Sequence, residues 1–316
     1  MFLSGSKGKM IGKKELLKRF PALSEDTWIR ADREFPIRIT RSFGRKIEFP
    51  TDPIGLQVLP QEFELLQDSK DLQDPVGEKQ RKIHTWVIEK HSDRALFLLT
   101  KRCHLYCRYC FRRTHNGTED PTSSEIDSAI ELINERNYEE VILSGGDPLV
   151  VRDDLLAYVL EKLTAPTIRI HTRAPITAPH FLTETKLNIL SKRKAIWLIV
   201  HCNHPKELDD DVQKCIEKIQ AVGIPILNQT VLLQGVNDCP QILQELCQKL
   251  VRFRVFPYYL HHTDAVVGNA HFRVSPERGR EIYRELTQKV SGIALPKYVI
   301  DMPDGSGKVD MMTVQL

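Results

Sequence analysis

Six short apolar runs, each followed by a stretch of helix length, constrain the fold of this chain more than any other feature. Their lengths and compositions predict buried parallel strands at residues 95–99, 141–144, 167–171, 196–200, 225–232 and 255–260. Apolar residues recur at helical spacing between them and predict helices at residues 123–136, 153–163, 182–191, 209–222, 241–251 and 276–290. Six βα units in series predict an α/β fold built on a partial, TIM-like (β/α)6 barrel with right-handed crossovers.

The residues before the first predicted strand have a different pattern. Short helices are expected at residues 13–20 and 61–67, and proline-containing loops separate them. The sequence therefore predicts three parts: a mainly helical N-terminal arm at 1–90, the barrel at 91–292 and a C-terminal segment at 293–316.

Polar residues follow each predicted strand, where the loops of barrel enzymes converge to form active sites. They are the cysteines after the first strand, the run 144–148, His171 with Arg173, His201 with Asn203, Gln229, and His261 with Asp264. For any one of them, an ordinary loop residue is an equally good interpretation. All six ends together indicate a site at this face of the barrel.

Three cysteines, Cys103, Cys107 and Cys110, stand at Cys-x-x-x-Cys-x-x-Cys spacing with no fourth cysteine near them. Structural zinc takes four protein ligands, and ordinary electron-transfer clusters take four cysteines. Three thiolates on a four-iron cluster leave one iron free to bind a substrate or cofactor. The alternatives are a zinc site completed by His104 or His115, or three ordinary thiols.

Two further segments carry residue types suited to cofactor chemistry. In Ser144-Gly145-Gly146-Asp147, the glycines allow close backbone approach to a ligand, and the aspartate can accept from an ammonium. A tight turn in which Asp147 begins a helix is the alternative. Lys308 lies among glycines and can form a Schiff base with pyridoxal phosphate if it is partly desolvated. A solvated tail lysine is the default there.

Composition excludes several classes of protein. The net charge of +3 is too small and too evenly spread to indicate nucleic-acid binding. No run is long enough to span a membrane, and no secretory signal precedes the first helix. Seven cysteines, three of them clustered, fit metal ligation in a reducing compartment, so a cytoplasmic protein is expected.

Taken with the cysteines, several segments resemble the lysine 2,3-aminomutase family of radical S-adenosylmethionine enzymes. The resemblance runs from about residue 35 to residue 308 and includes Asp52-Pro53, Gln57-Val58-Leu59-Pro60, Asp74-Pro75-Val76-Gly77-Glu78, Asp93-Arg94-Ala95-Leu96, Tyr106-Cys107-Arg108-Tyr109-Cys110-Phe111-Arg112-Arg113, Leu227-Asn228-Gln229-Thr230, Gly235-Val236-Asn237-Asp238 and His271-Phe272. It implies a radical SAM barrel with three cofactors: a [4Fe–4S] cluster, S-adenosylmethionine and pyridoxal 5′-phosphate.

The resemblance also implies roles for particular residues. The cluster would be bound by Cys103, Cys107 and Cys110; S-adenosylmethionine by Ser144, Gly145, Gly146 and Asp147; and pyridoxal phosphate by Lys308, Gln229, Arg94 and Lys90. Arg112 would take the substrate carboxylate as a bidentate pair. Asp264 and Asp301 would bind the side-chain ammonium of lysine and repel an acidic substrate.

The implied activity is conversion of L-lysine to (R)-β-lysine, with electrons from a flavodoxin or ferredoxin. The short chain and the segment at residues 35–43 resemble the branch that supplies β-lysine to elongation factor P and its ligase. The alternatives are a 2,3-aminomutase for arginine or another cationic amino acid, and a non-catalytic iron–sulfur or zinc scaffold. The oligomeric state is left open.

Two features depart from the family pattern. Asp304 and Ser306 interrupt the glycines before Lys308, which leaves the cofactor geometry open there. No cysteine follows Cys247, so the structural zinc of the long members is not expected.

Overall fold

In the computed structural model of the chain, the described residues are 10–114, 120–304 and 307–315. The strands are β1 Met10–Ile11, β2 Ile39–Thr40, β3 Lys82–His84, β4 Val87–His91, β5 Arg94–Thr100, β6 Glu140–Gly145, β7 Thr167–Thr172, β8 Ile196–His201, β9 Ile226–Val231, β10 Phe256–His261, β11 Lys297–Met302 and β12 Gly307–Asp310. The α-helices are α1 Lys13–Arg19, α2 Glu25–Glu34, α3 Arg41–Gly44, α4 Ser123–Glu135, α5 Asp153–Lys162, α6 Ala174–Thr177, α7 Glu184–Ser191, α8 Asp210–Ala221, α9 Pro240–Arg252 and α10 Pro276–Thr287.

The six predicted strands are β5 to β10, and they pair in parallel in chain order within one sheet of ten strands. The predicted helices between and after them are α4, α5, α7, α8, α9 and α10, with ends that differ by a few residues. The predicted βα architecture is therefore confirmed. Its order follows the general rule that successive strands joined by a crossover helix lie side by side.

The two faces of the sheet differ in composition. On the outer face, Ala95, Phe97 and Leu99 are fully buried and belong to a core shared with the helices. On the inner face the side chains are half-buried and include charged groups such as Glu140 and Arg169. A polar, partly accessible interior beside an apolar exterior indicates that the inner face lines a site.

Residues outside the predicted barrel extend the sheet at both ends. β3 and β4, within the predicted arm, pair antiparallel with each other and with β5. β11 and β12, in the predicted C-terminal segment, continue it beyond β10. The three parts predicted from the sequence thus share one sheet. No helix in the described ranges is long and apolar enough to cross a membrane.

Within the arm, α1 lies at the helix predicted for residues 13–20, whereas α2 and α3 were not predicted. α2 begins after Ser24, whose side chain accepts from the Thr27 backbone, and it buries Trp28 and Ala31. A capping serine followed by acidic residues is a sequence pattern that predicts the start of a helix. The helix predicted at 61–67 is a short 3-10 helix at Glu62–Leu65.

A buried ionic network joins the arm to the cysteine loop. Glu64 is fully buried and accepts from Arg108 at 2.6 Å and from Arg113 at 3.0 Å. Arg108 lies between two of the cysteines and also donates to the Phe35 carbonyl at 2.9 Å. Because these charges are removed from water, each depends on the others for compensation. The network therefore fixes the cysteine loop against the arm.

Replacing Glu64 by Gln is expected to destabilise the chain by roughly 3–5 kcal/mol, because two buried guanidinium groups lose their counter-charge. Glu62→Gln, on the same turn but exposed, is the control and should cost less than about 1 kcal/mol. Urea unfolding of the cofactor-free protein measures both. Equal stabilities of the two variants would contradict a central role for the network.

Candidate active site

The cysteine loop follows β5 and is anchored through its backbone. The Tyr106 amide donates to the Arg38 carbonyl at 3.1 Å, and the Arg108 amide donates to the Gln57 carbonyl at 2.8 Å. Both partners belong to the arm. The loop is therefore held from outside the barrel, while its cysteines lie at the carboxyl ends of the strands.

The three thiols lie close enough to influence one another. Burial raises the pKa of Cys103 well above its ordinary value, and the charges of Asp147, Cys110 and Cys107 raise it further. Burial and the Cys107 charge raise the pKa of Cys110 to about 11. Within the described ranges, no three His, Cys, Asp or Glu side chains are arranged to hold a single metal ion. His115, a ligand in the zinc alternative, lies outside those ranges.

Gly145, the last residue of β6, and Gly146 after it are required by a close backbone approach. A side chain at Gly145, where φ is +117°, would lie 2.2 Å from the Thr100 carbonyl oxygen, and one at Gly146 would lie 2.2 Å from that of Arg102. The expected close approach is present, but it is to the start of the cysteine loop. The glycines therefore fix the loop and the strand-end motif relative to each other.

Asp147 is buried, and its carboxylate is bonded to the chain itself. Its oxygens accept from the Leu149 amide at 3.0 Å, the Thr172 hydroxyl at 2.7 Å and the Arg173 amide at 2.9 Å. It caps the 3-10 helix Pro148–Val150. This is the structural alternative considered from the sequence. The predicted direct contact between Asp147 and a ligand ammonium finds no support in this arrangement.

Arg112 reaches from the cysteine loop to the strand-end motif. Its guanidinium pairs with both oxygens of Glu78, at 2.5 and 2.9 Å, and donates to the Ser144 hydroxyl at 3.0 Å and the Gly145 carbonyl at 3.1 Å. Sequence reasoning assigned no role to Glu78. Since its bidentate pairing matches the geometry of a carboxylate ligand, Glu78 takes the place predicted for a substrate carboxylate.

Lys308 and Asp301 are brought together on adjacent strands. The Lys308 amine lies 2.7 Å from one oxygen of Asp301, and the Lys90 amine lies 2.6 Å from the other. Burial opposes ionisation of Asp301, but the charges of Lys308 and Lys90 outweigh it and lower its pKa to about 2. Asp301 is thus an ionised carboxylate that holds two ammonium groups.

Asp264 follows β10 and lies within the same electrostatic environment. Burial, reinforced by the charge of Asp301, raises its pKa to about 7. Two carboxylates near each other in a partly desolvated site resist simultaneous ionisation unless a cation joins them. The predicted pair of acidic residues is therefore assembled beside Lys308.

The remaining predicted residues lie along the inner face. Gln229 is on β9, in register with Tyr259 of β10 and His201 of β8. Arg94 begins β5, at the amino end of the strands, and pairs in register with His91 of β4. A side chain at Gly307 would lie 2.8 Å from the His91 ring. Arg94 and the Lys308 strand are therefore neighbours of the same histidine.

Two inner-face histidines near Lys308 received no individual role from the sequence. Burial lowers the pKa of His261 to about 3 and that of His171 well below its ordinary value, and the Lys308 charge adds to both shifts. Their Nε2 atoms are buried and have no hydrogen-bond partner among the residues that the structure describes. Neutral rings that leave buried polar atoms unsatisfied indicate that the interior is built to receive a polar ligand.

These residues fit the three groups implied by the sequence. The thiols that influence one another suit a cluster. The amine of Lys308 beside unsatisfied histidines suits covalent attachment of an aldehyde cofactor. Lys90, Arg94 and Arg169, each paired with a carboxylate in this structure, are the cations that would meet its phosphate. The strand-end motif adjoins the cysteine loop, where a ligand of the cluster would lie.

A model of the Radical SAM superfamily matches residues 97–246. An L-lysine 2,3-aminomutase of Haemophilus influenzae is 37% identical over 295 residues, which are 90% of this chain and 87% of that protein. One of Methanococcus maripaludis is 38% identical over 288 residues, or 88% of this chain. The chain spans 66% of that relative and 65% of its counterpart from Clostridium subterminale. A radical SAM methyltransferase from Sphaerobacter thermophilus has a TM-score of 0.49 at 16% identity, covering 68% of each chain.

The pKa of Asp264 predicts a pH-dependent stability. Since the folded protein holds this proton more tightly than the unfolded chain, stability contributed by Asp264 is complete below about pH 4 and is lost as the pH rises through about 7. Asp264→Asn should therefore exceed the parent in stability at pH 8, by on the order of 1–3 kcal/mol, and match it at pH 4.

Urea unfolding of the cofactor-free protein at the two pH values measures this difference. Asp210→Asn, an exposed aspartate of α8, is the control and should follow the parent at both. A difference between Asp264→Asn and the parent that does not change with pH would contradict the assignment.

Proposed function

The chain belongs to the L-lysine 2,3-aminomutase family, and we propose that it converts L-lysine to (R)-β-lysine by moving the amino group from Cα to Cβ. The family uses a [4Fe–4S] cluster, S-adenosylmethionine and pyridoxal phosphate.

The observation that carries the proposal is the pairing of Asp301 with two lysine amines, at 2.6 and 2.7 Å. One of these amines belongs to Lys308. When Lys308 is attached to the cofactor, its amine is no longer available to Asp301. The carboxylate can then take another ammonium at the end of a four-carbon chain, which is what a lysine substrate offers.

Asp264 supports selection of a cationic substrate. Burial and the neighbouring Asp301 charge raise its pKa, so its ionised form is unfavourable unless a cation pairs with it. A substrate ammonium would satisfy both carboxylates, whereas an acidic side chain would be repelled. An arginine side chain has the same charge but is longer and planar, so arginine remains the alternative substrate.

Arg112 is proposed to hold the substrate carboxylate. In this structure its fork is paired with Glu78, so a substrate carboxylate would exchange with Glu78. The exchange replaces one bidentate ion pair at Arg112 by another, and it leaves the buried Glu78 carboxylate without its guanidinium partner. It would also place the substrate α-carbon between the strand-end motif and the Lys308 strand.

The cofactors supply cleavage of S-adenosylmethionine to a radical and stabilisation of the migrating amino group when they are bound. The chain supplies positions. Cys103, Cys107 and Cys110 bind the cluster, and Lys308 carries pyridoxal phosphate. Gln229 and Tyr259 line the inner face, and Arg94 with Lys90 faces the phosphate. Residues 144–147 position S-adenosylmethionine. Asp147 does so indirectly, because its carboxylate holds the backbone around the motif in place.

We also propose an electron donor of the flavodoxin or ferredoxin type and use of the product by elongation factor P and its ligase. The second assignment is supported by the resemblance of residues 35–43 to the short branch of the family. That segment lies beside the cysteine loop, since Arg108 donates to the Phe35 and Pro36 carbonyls.

Anaerobic reconstitution with iron, sulfide, pyridoxal phosphate and S-adenosylmethionine tests the activity. With a chemical reductant, L-lysine should yield β-lysine on a chiral column, and L-arginine should yield far less β-arginine. If arginine is turned over faster than lysine, arginine is the substrate and not lysine. A colourless, zinc-loaded protein without turnover would favour the scaffold alternative.

Lys308→Ala is expected to abolish covalent attachment of pyridoxal phosphate, because the amine that forms the bond is removed. Borohydride reduction followed by peptide mapping should label Lys308 in the parent and nothing in the variant. Lys297→Ala, at the exposed start of β11, is the control and should retain the label. A label that persists on another lysine of the parent would show that Lys308 is not the attachment site.

Asp301→Asn keeps the shape of the side chain and removes its charge. Loss of one charge-assisted hydrogen bond is worth roughly 1.5–3 kcal/mol, so kcat/KM for lysine should fall at least about tenfold. Turnover is compared at equal iron and pyridoxal phosphate contents, because Asp301 also positions the Lys308 amine. Asp210→Asn should leave kcat/KM unchanged. Undiminished turnover of lysine by Asp301→Asn would place the ammonium site elsewhere.

A further inference from the structure

A buried guanidinium group contacts one of the three cysteines. Arg173 follows β7 directly, and its Nη1 atom donates to the Cys107 sulfur at 2.8 Å. Its side chain is only 8% exposed. The other positions of the fork are also occupied, by the Gln57 side chain at 2.6 Å and by Glu207 at 2.8 Å. Because the guanidinium is held by these partners, its Nη1 donor stays directed at the Cys107 sulfur.

The contact is fixed from both ends of Arg173. The backbone amide is held by Asp147 at 2.9 Å, which ties it to the strand-end motif. The guanidinium lies over the Tyr109 ring, 5.6 Å from its centre, and over the Phe43 ring at 5.2 Å. Since backbone, fork and flat faces are all constrained, the donor cannot turn away from Cys107 without breaking several contacts.

Glu207 supplies the opposing charge at this position. It is fully buried, and its second oxygen accepts from the Asn203 amide at 2.9 Å, the His204 amide at 3.0 Å and the Gln57 amide group at 3.1 Å. Arg173 and Glu207 thus form a pair of buried charges. The positive member touches the sulfur, and the negative member lies behind it.

Hydrogen bonds and charges at the sulfur ligands control the reduction potential of an iron–sulfur cluster. A donor with positive charge at a thiolate stabilises the added electron of the reduced cluster, and a buried carboxylate behind it opposes this effect. We propose that Arg173 is a positioning residue that raises the reduction potential of the cluster through Cys107, with Glu207 setting how much of its charge the cluster experiences. This rests on the proposed function, because it requires that the three cysteines bind a cluster.

The test is the midpoint potential of the reconstituted cluster, measured in the absence of S-adenosylmethionine. A spectroelectrochemical titration gives this potential, and electron paramagnetic resonance follows the signal of the reduced cluster. Arg173→Gln should lower the potential, and Glu207→Gln should raise it. Lys206→Gln is the control: it removes a neighbouring but exposed charge, paired with Glu48 at the surface, and should leave the potential unchanged.

Opposite shifts distinguish tuning from loosening of the loop, because structural damage would move both variants in the same direction. An unmoved potential in Arg173→Gln, or same-direction shifts, overturns the assignment. If Arg173→Gln fails to retain iron, Glu207→Gln decides: an upward shift supports the proposal, and no shift or a downward shift overturns it. A parent chain that assembles no four-iron cluster overturns the proposed function and this inference with it.

Discussion

The interaction on which the site depends most is the double ion pair of Asp301. Its two oxygens bind Lys90 of β4 and Lys308 of β12, which lie toward opposite ends of the ten-stranded sheet. The curved sheet leaves a gap between its ends, and the partly buried pair of Asp301 with Lys90 crosses that gap, whereas the pair with Lys308 joins adjacent strands. The same carboxylate therefore helps to close the barrel and places the Lys308 amine at its inner face.

The cysteine loop is held by two buried ionic networks on different sides. Glu64 joins it to the arm through Arg108 and Arg113. On the barrel side, Arg173 is held by Glu207 and donates to Cys107. Each network restricts the conformation of the loop, because moving the loop would leave buried charges without their partners. A loop proposed to bind a cluster benefits from such preorganisation.

Local patterns predicted the barrel because each buried strand and its helix carry their own periodicity. They did not reveal what β3, β4, β11 and β12 would do, since edge pairing depends on contacts distant in sequence. For the same reason, only part of the site could be predicted from the sequence. The cysteine spacing and Asp301 were visible as local or family features, whereas the pairing of Arg112 with Glu78 and of Arg173 with Cys107 joins segments that the sequence does not place together. The glycines at 145 and 146 were recognised as close-approach positions, but only the fold shows that they face the chain itself.

The central claim is that the cysteine loop and the Lys308 strand serve one reaction in one interior. Turnover of lysine deuterated at its β-carbon tests it most directly, because hydrogen can pass from the substrate to the adenosyl group of S-adenosylmethionine only if both lie in the same interior. The account predicts deuterium in the recovered 5′-deoxyadenosine and in β-lysine, measured by mass spectrometry. Deoxyadenosine that forms in the presence of deuterated lysine without acquiring any deuterium would contradict it.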